Sequence, residues 1–225
     1  MLQRLLGQRP AISYVAPFIV FVGLMGVERS FDLPAAYFYP LRFALTVATL
    51  VLVSGRLLTL RPGAPFASLL LGAAVFLIWV APDQLFGYRH FWLFENPLMG
   101  RAASSLPVRM QGHPGFLALR AFSSFALVPV VEELFWRGWL MRWIIHHEFL
   151  SIPVGKYAPF AFWITALLFA SEHGPYWEVG LAAGVAYNWW AVRRHNLADC
   201  VLAHTATNAL LAAWVLLTGQ WHYWL

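Results

Sequence analysis

Seven apolar stretches, separated by charged or proline-containing segments, restrict the fold of this chain more than any other feature of its sequence. A helix needs about 20 apolar residues, with a range of about 17 to 25, to cross the roughly 30 Å hydrocarbon core of a bilayer. We expect a membrane helix from each stretch: residues 11–27, 37–58, 65–81, 115–145, 157–173, 177–192 and 197–218. The sequence therefore predicts an all-α fold, a polytopic membrane helix bundle of about seven transmembrane helices, within a range of six to eight.

The low share of charged residues supports a lipid environment. Hydrophobic residues make up 60% of the chain and charged residues 11%, whereas a soluble domain has roughly 25% charged residues. A soluble fold of this size could not keep so much apolar surface away from water. We expect a single integral membrane domain over residues 1–225. Residues 1–114 form its N-terminal helices and a polar connection, and residues 115–218 form its motif-bearing, catalytic helices.

The basic residues in short loops predict the orientation of the bundle. Arg4 and Arg9 precede the first stretch, and Lys156 lies between the fourth and the fifth. Lys and Arg are enriched in cytoplasmic loops, so we expect a cytoplasmic N-terminus and place the connection at residues 82–114 on the other side. The same rule accounts for the formal net charge of +5. A nucleic-acid partner is therefore not expected.

Several local features predict details of the helices. Pro82 is expected to end the third helix, and Pro129 to kink or break the long fourth one. A short interfacial helix is expected around residues 91–94. The single cysteine, Cys200, excludes an intrachain disulfide, and its apolar surroundings favour a small buried side chain over a nucleophile.

The first polar motif inside an apolar stretch is Glu-Glu-x-x-x-Arg, residues 132–137. Glu133 and Arg137 are four residues apart and face each other on a helix. Glu132 is rotated by about 100° from its neighbour and is free to face another group. The alternative is an interfacial ion pair with a spare surface glutamate. The spacing favours Glu132 as a base and Glu133 as the partner of Arg137.

Two further motifs contribute imidazoles. His173 closes the fifth stretch, where a histidine is more often structural because it suits the C-terminal dipole of a helix. His204 and Asn208 share one face of the last helix, where hydrogen bonds between helices are the structural alternative. Together with Glu132, these side chains could supply a base, a group that shares the proton and donors to an oxyanion. That combination is typical of the addition of water to a carbonyl group.

The three motifs, Glu-Glu-x-x-x-Arg, Phe-x-x-x-His and His-x-x-x-Asn, occur complete and in this order on successive helices. In this they resemble the CAAX protease and bacteriocin-processing (CPBP) family, which includes the type II CAAX prenyl endopeptidases and whose members look like glutamic intramembrane proteases. The resemblance covers about residues 115–218. It implies that Glu132, with His173, activates water, and that His204 and Asn208 form the oxyanion hole.

The resemblance also implies that Glu133 and Arg137 support the site. We expect catalysis without a cofactor or a metal. Zinc held by Glu132, His173 and His204 is the alternative, because carboxylate and imidazole both suit this metal.

The N-terminal half is similar to a bacterial subgroup of the same family that is linked to exosortase, or protein-sorting, systems. This similarity rests on residues 14–21 and on Tyr39-Pro40-Leu41-Arg42. It implies a location in the bacterial inner membrane and sorted surface proteins, rather than prenylated ones, as substrates.

The expected function is that of an intramembrane, metal-independent endopeptidase. Its partners would be membrane lipids and a membrane-associated peptide or protein substrate. Two alternatives remain: a non-catalytic membrane partner or immunity-type protein that retains the fold, and a small-solute transporter that uses the polar residues as a relay.

One expectation conflicts with the predicted spans. In a bundle of seven full spans, His173 lies near the outer end of its helix and His204 about two turns from the inner end of its own. The two rings cannot meet in such a bundle unless a helix is tilted, broken or shorter than predicted.

Overall fold

The computed structural model describes residues 6–58, 61–97 and 100–224, so Arg4 lies outside the described residues. Helices dominate, and the described residues contain no strand beyond an isolated bridge between Asn96 and Gly100. We number the longer helices α1 (Ile12–Ser30), α2 (Ala35–Ser54), α3 (Pro65–Phe86), α4 (Pro114–Ile145), α5 (Pro159–Ser171), α6 (Trp177–Arg194) and α7 (Leu197–Thr218). The predicted all-α, polytopic class is confirmed.

Five of these helices are long and apolar enough to cross a membrane: α1, α2 with its following turn Gly55–Leu57, α3, α4 and α7. The other two predicted spans correspond to α5 and α6, which pack along each other. α5 has only 13 residues and is therefore about 20 Å long. α6 has 18 residues, with charged side chains at both of its ends.

Two local predictions were wrong. Pro82 does not end α3, which continues to Phe86 and closes on Gly87 in the left-handed conformation. A proline removes only one backbone hydrogen bond, and membrane helices tolerate that loss where neighbouring groups compensate. Residues 91–94 form a turn, closed by a bond from the Phe94 N–H to the Phe91 carbonyl, instead of a short helix.

α4 stays continuous through Pro129, but its hydrogen-bond register changes. It contains two π-helical segments, Ser123–Leu127 and Leu134–Leu140, with the α-helical Val128–Glu133 between them. In the π register each N–H donates to the carbonyl five residues back. The predicted disturbance near Pro129 is therefore a π segment that ends at Leu127, two residues before the proline, and no break occurs.

The motif-bearing α7 packs most closely against α3 and also against α4. Gly72 of α3 lies against Ala203 and Ala206 of α7, and a Cβ atom at this glycine would lie 2.6 Å from the Ala206 Cβ and still closer to the Ala203 carbonyl oxygen. The Thr207 hydroxyl donates to the Gly72 carbonyl at 2.8 Å. This close crossing brings the polar face of α7 into the centre of the bundle.

Candidate active site

A fully buried ion pair lies at the base of the site. Glu133 and Arg137 occupy successive turns of α4, and Arg137 Nη1 lies 2.9 Å from Glu133 Oε1 with neither side chain exposed. The predicted i, i+4 pairing is confirmed. A buried ion pair needs further hydrogen bonds to offset the loss of solvation, and α6 supplies them.

Residues of α6 accept hydrogen bonds from the two other nitrogens of the Arg137 guanidinium group. Arg137 Nε donates to Asn188 Oδ1 at 2.8 Å, and Nη2 donates to the Gly184 carbonyl at 3.2 Å. Asn188 in turn donates to the Phe162 carbonyl of α5 at 2.8 Å. The guanidinium also lies 4.7 Å from the centroid of the Phe169 ring. Three helices are thus joined around one buried cation.

His204 of α7 lies between the two glutamates. Its Nδ1 is 3.0 Å from Glu133 Oε1, and its Nε2 is 3.9 Å from Glu132 Oε2. A carboxylate can only accept, so Nδ1 carries the proton when Glu133 is ionised. The ring stacks on Tyr187 with centroids 4.9 Å apart. This oxygen of Glu133 therefore orients both Arg137 and His204.

Glu132 faces away from the ion pair, as the helical spacing predicts. Its side chain is 13% exposed, and its Oε2 atom is buried with no hydrogen-bond partner in the described part of the chain. Among the ion pairs of the described residues, Glu132 pairs with His204 and not with His173, so the closer of the two imidazoles is that of His204. The resemblance implied a pairing of Glu132 with His173, and in this structure the two residues line the same cavity without a direct ion pair.

His173 follows the short helix α5. Its Nδ1 donates to the Phe169 carbonyl at 2.8 Å, because a carbonyl oxygen can only accept, and this leaves Nε2 as the free nitrogen of the neutral ring. The Phe169 ring contacts both imidazoles, with centroids 4.8 Å from His173 and 6.0 Å from His204. α5 is too short to carry His173 across the bundle, so both histidines reach the same cavity, and the conflict in the predicted spans is resolved.

Asn208 lies one turn after His204 and is bound to the π segment of α4. In the π register, Val128 donates to the Ser123 carbonyl, and the next donor would be residue 129, which is a proline without an N–H. Asn208 Nδ2 donates to the Ser124 carbonyl at 2.9 Å in its place. One of its two amide hydrogens remains for another acceptor.

One cavity of about 470 Å³ is lined by all four candidate catalytic residues, Glu132, His173, His204 and Asn208. It extends past buried Arg42 to exposed Arg29, Asp32 and Arg109. In the part of the chain that the structure describes, no group of three His, Cys, Asp or Glu side chains is arranged to hold a metal ion. The cavity thus joins a polar centre inside the bundle to the surface.

Several residues that shape the site lie outside the three sequence motifs. Gly180 and Gly184 of α6 face α5, and a Cβ atom at Gly180 would lie 3.0 Å from the His173 ring. Their Gly-x-x-x-Gly spacing is a known signal for close helix packing in membranes and could have been found. Asn188 continues the same face. Trp79 of α3, whose ring meets that of His173 edge-on at 5.3 Å, had no signal in the sequence.

A family model described as "Type II CAAX prenyl endopeptidase Rce1-like" matches residues 114–210. Comparisons with curated proteins and with solved structures gave no match. The matched segment starts with α4 and ends within α7, so it contains all three motifs. The exosortase-associated subgroup stays a prediction. Over residues 114–210 the chain thus matches the Rce1-like type II CAAX prenyl endopeptidases, a family of proteases, and the resemblance predicted from the three motifs is confirmed.

Proposed function

We propose that this chain is an intramembrane, metal-independent endopeptidase in which Glu132 activates a water molecule. The observation that supports the proposal is the convergence of Glu132, His173, His204 and Asn208 on one cavity. Glu132 comes from α4, His173 from the turn after α5, and His204 and Asn208 from α7. Placing such polar side chains inside a membrane costs free energy unless they have a function or a partner.

In the proposed reaction the Glu132 carboxylate takes a proton from water, and the water oxygen forms a bond to the carbonyl carbon of the substrate peptide. His173 Nε2 accepts a hydrogen bond from the same water, since its Nδ1 is bound to Phe169. Glu132 and His173 both line the cavity, which is large enough to hold that water. Protonated Glu132 then gives its proton to the leaving amine as the carbon–nitrogen bond breaks.

His204 and Asn208 would stabilise the oxyanion of the tetrahedral intermediate. With Nδ1 bound to Glu133, the His204 Nε2 can donate only when the ring is an imidazolium. Asn208 would donate through its second amide hydrogen. Preorganised donors of this kind are each worth about 10²–10³ in rate.

Glu133 and Arg137 would support the site without contacting substrate. Their ion pair fixes the orientation of the His204 ring and joins α4 to α6.

The proposed substrate is a peptide segment of a membrane-associated protein, and the proposed location is the bacterial inner membrane with a cytoplasmic N-terminus. In that orientation, the cavity opens on the side opposite the cytoplasm, because the loop after α1 and the loop before α4 line its mouth. Exported surface proteins, as in the exosortase-associated subgroup, would reach this mouth from that side.

The test begins with mass spectrometry of exported membrane proteins from cells with and without this protein, which should reveal a new terminus. The purified protein is then given that substrate, and Glu132→Gln is compared with wild type. We expect the substitution to lower kcat by about 10²–10⁴-fold. The control is Glu148→Gln, since the Glu148 side chain is 76% exposed and does not line the cavity.

Equal rates for Glu132→Gln and wild type would remove Glu132 from catalysis. A chelator should leave activity unchanged, and a loss of activity that zinc restores would establish the metal-dependent alternative. If the protein is a non-catalytic partner, the purified protein should cleave no candidate substrate.

A transporter would need a second opening. Among the described residues, those that line the cavity include none from the connections at the opposite end of the bundle, 55–64, 146–158 and 193–196. This one-sided cavity favours the protease over the transporter.

A further inference from the structure

The turn that bears His173 is held from its far side by a charged cluster outside the cavity. His173 begins the turn, and its carbonyl accepts a bond from the Tyr176 N–H at 2.9 Å. Gly174 adopts the left-handed conformation with φ of +50°, which suits a glycine at this position. The turn then leads directly into α6.

Arg89 is the centre of this cluster. It follows α3 in the short turn Tyr88–His90 and is only 5% exposed. Its Nη1 lies 2.6 Å from Glu178 Oε1, and its Nε lies 3.4 Å from Asp83 Oδ2. The same Nη1 donates to the Pro175 carbonyl at 3.4 Å. Arg89 thus joins the end of α3 to both the turn and the first residues of α6.

A chain of aromatic contacts leads from Arg89 to the His173 ring. The guanidinium carbon lies 4.0 Å above the centroid of the Tyr176 ring. Tyr176 stacks on Trp79, with centroids 6.1 Å apart and planes at 16°, and Trp79 meets His173 edge-on. The opposite side of His173 is closed by Gly180, where a Cβ atom would lie 3.0 Å from the ring. The orientation of the imidazole therefore depends on the position of the Tyr176 and Trp79 rings.

The carboxylates of the cluster are themselves fixed by hydroxyl groups. Tyr88 donates to Glu178 Oε1 at 2.9 Å, and Tyr223 donates to Asp83 Oδ2 at 2.8 Å. Burial raises the pKa of Tyr223 to about 12, and the Asp83 carboxylate also raises it, so this hydroxyl stays protonated and donates at neutral pH. Arg89 is therefore held in one position by two oriented anions.

We propose that Arg89, held by Asp83 and Glu178, is a positioning residue that sets the orientation of His173 through Tyr176 and Trp79. It does not line the cavity and does not touch the reacting atoms. The predicted effect of Arg89 on catalysis rests on the proposed function. The predicted effect of Arg89 on the position of the turn does not depend on that function.

The test combines Arg89→Gln with His173→Ala in a double-mutant cycle. Arg89→Gln alone should lower kcat about 10- to 100-fold, the scale of a small misplacement of a catalytic group, with KM changed by less than about twofold. In the His173→Ala background the same substitution should lower kcat by less than about twofold. A purely structural role would lower kcat by the same factor in both backgrounds and would overturn the inference.

Glu178→Gln is the second variant, because it weakens the shortest contact of Arg89 and keeps the arginine. Glu178→Gln should also lower kcat, as Arg89→Gln does. The matched control is Arg101→Gln, from the same connection, whose side chain is 84% exposed beside Glu95. This control should keep wild-type kcat and KM.

Hydrogen exchange supplies a readout that does not require activity. In Arg89→Gln, amides of residues 172–177 should exchange at least about tenfold faster, while those of α4 should keep their wild-type rates. Unchanged exchange at 172–177 would overturn the inference. Faster exchange at 172–177 in a protein that cleaves nothing would support the positioning by Arg89 and contradict the proposed function.

Discussion

At the scale of single residues, Arg137 has the largest number of partners in the candidate site. Its guanidinium contacts a carboxylate, a side-chain amide and a backbone carbonyl, and both members of the ion pair are fully buried. Removal of one partner from such a pair leaves an uncompensated charge, which costs about 3–5 kcal/mol. The spacing of Glu133 and Arg137 predicted the pair itself, because i, i+4 geometry is local. The Asn188 and Gly184 contacts depend on how α6 packs.

We predict that Arg137→Gln lowers the free energy of unfolding by about 3–5 kcal/mol. The measurement is denaturation of the purified protein in detergent, followed by circular dichroism. Combination with Glu133→Gln should recover part of the loss, because the double variant has no unpaired buried charge. An unfolding free energy equal to that of wild type would show that the ion pair does not stabilise the bundle.

At the scale of helices, close packing and changes of register place the site. The π segment before Pro129 leaves a carbonyl for Asn208, and Gly72 allows α7 to approach α3. Neither feature follows from hydropathy. Pro129 did signal a disturbance in α4, but the sequence could not show that the helix would change register without breaking, because the compensating donor comes from another helix.

We predict that Gly72→Ala destabilises the bundle by about 1–3 kcal/mol, the usual cost of overpacking. The new Cβ atom would clash with the Ala203 carbonyl and the Ala206 side chain. The matched control is Gly23→Ala in α1, where a Cβ atom would meet nothing within 4 Å; this change should be neutral or slightly stabilising. Thermal unfolding of both variants is the measurement. Equal stabilities would show that α3 and α7 can separate without cost.

At the scale of the whole molecule, five helices can span the membrane, and α5 with α6 forms a shorter packed pair. Residues 32–34 after α1, and residues 105–107 and Arg109 before α4, line the mouth of the cavity. The orientation of the bundle therefore decides which side of the membrane supplies the substrate.

We predict that residue 156 faces the cytoplasm and that residue 101 faces away from it. The basic residues before the first helix favour a cytoplasmic N-terminus, and three spans separate that N-terminus from residue 101. Arg101→Cys and Lys156→Cys, both at exposed positions, are made in a Cys200→Ala background. A membrane-impermeant maleimide should label position 101 in intact spheroplasts and position 156 only after permeabilisation. The reverse pattern would invert the orientation and move the mouth of the cavity to the cytoplasmic side.

The sequence by itself determined the lipid environment, the helical class and the local pairings on single helices. Apolar length and charge content are properties of composition, and the facing of Glu133 toward Arg137 or of His204 toward Asn208 follows from 3.6 residues per turn. Only the tertiary structure decided which imidazole approaches Glu132. That outcome depends on how deep in the bundle each side chain lies. The short length of α5 and the close crossing of α3 and α7 set this depth, and the spacing of residues along the chain does not reveal either of them.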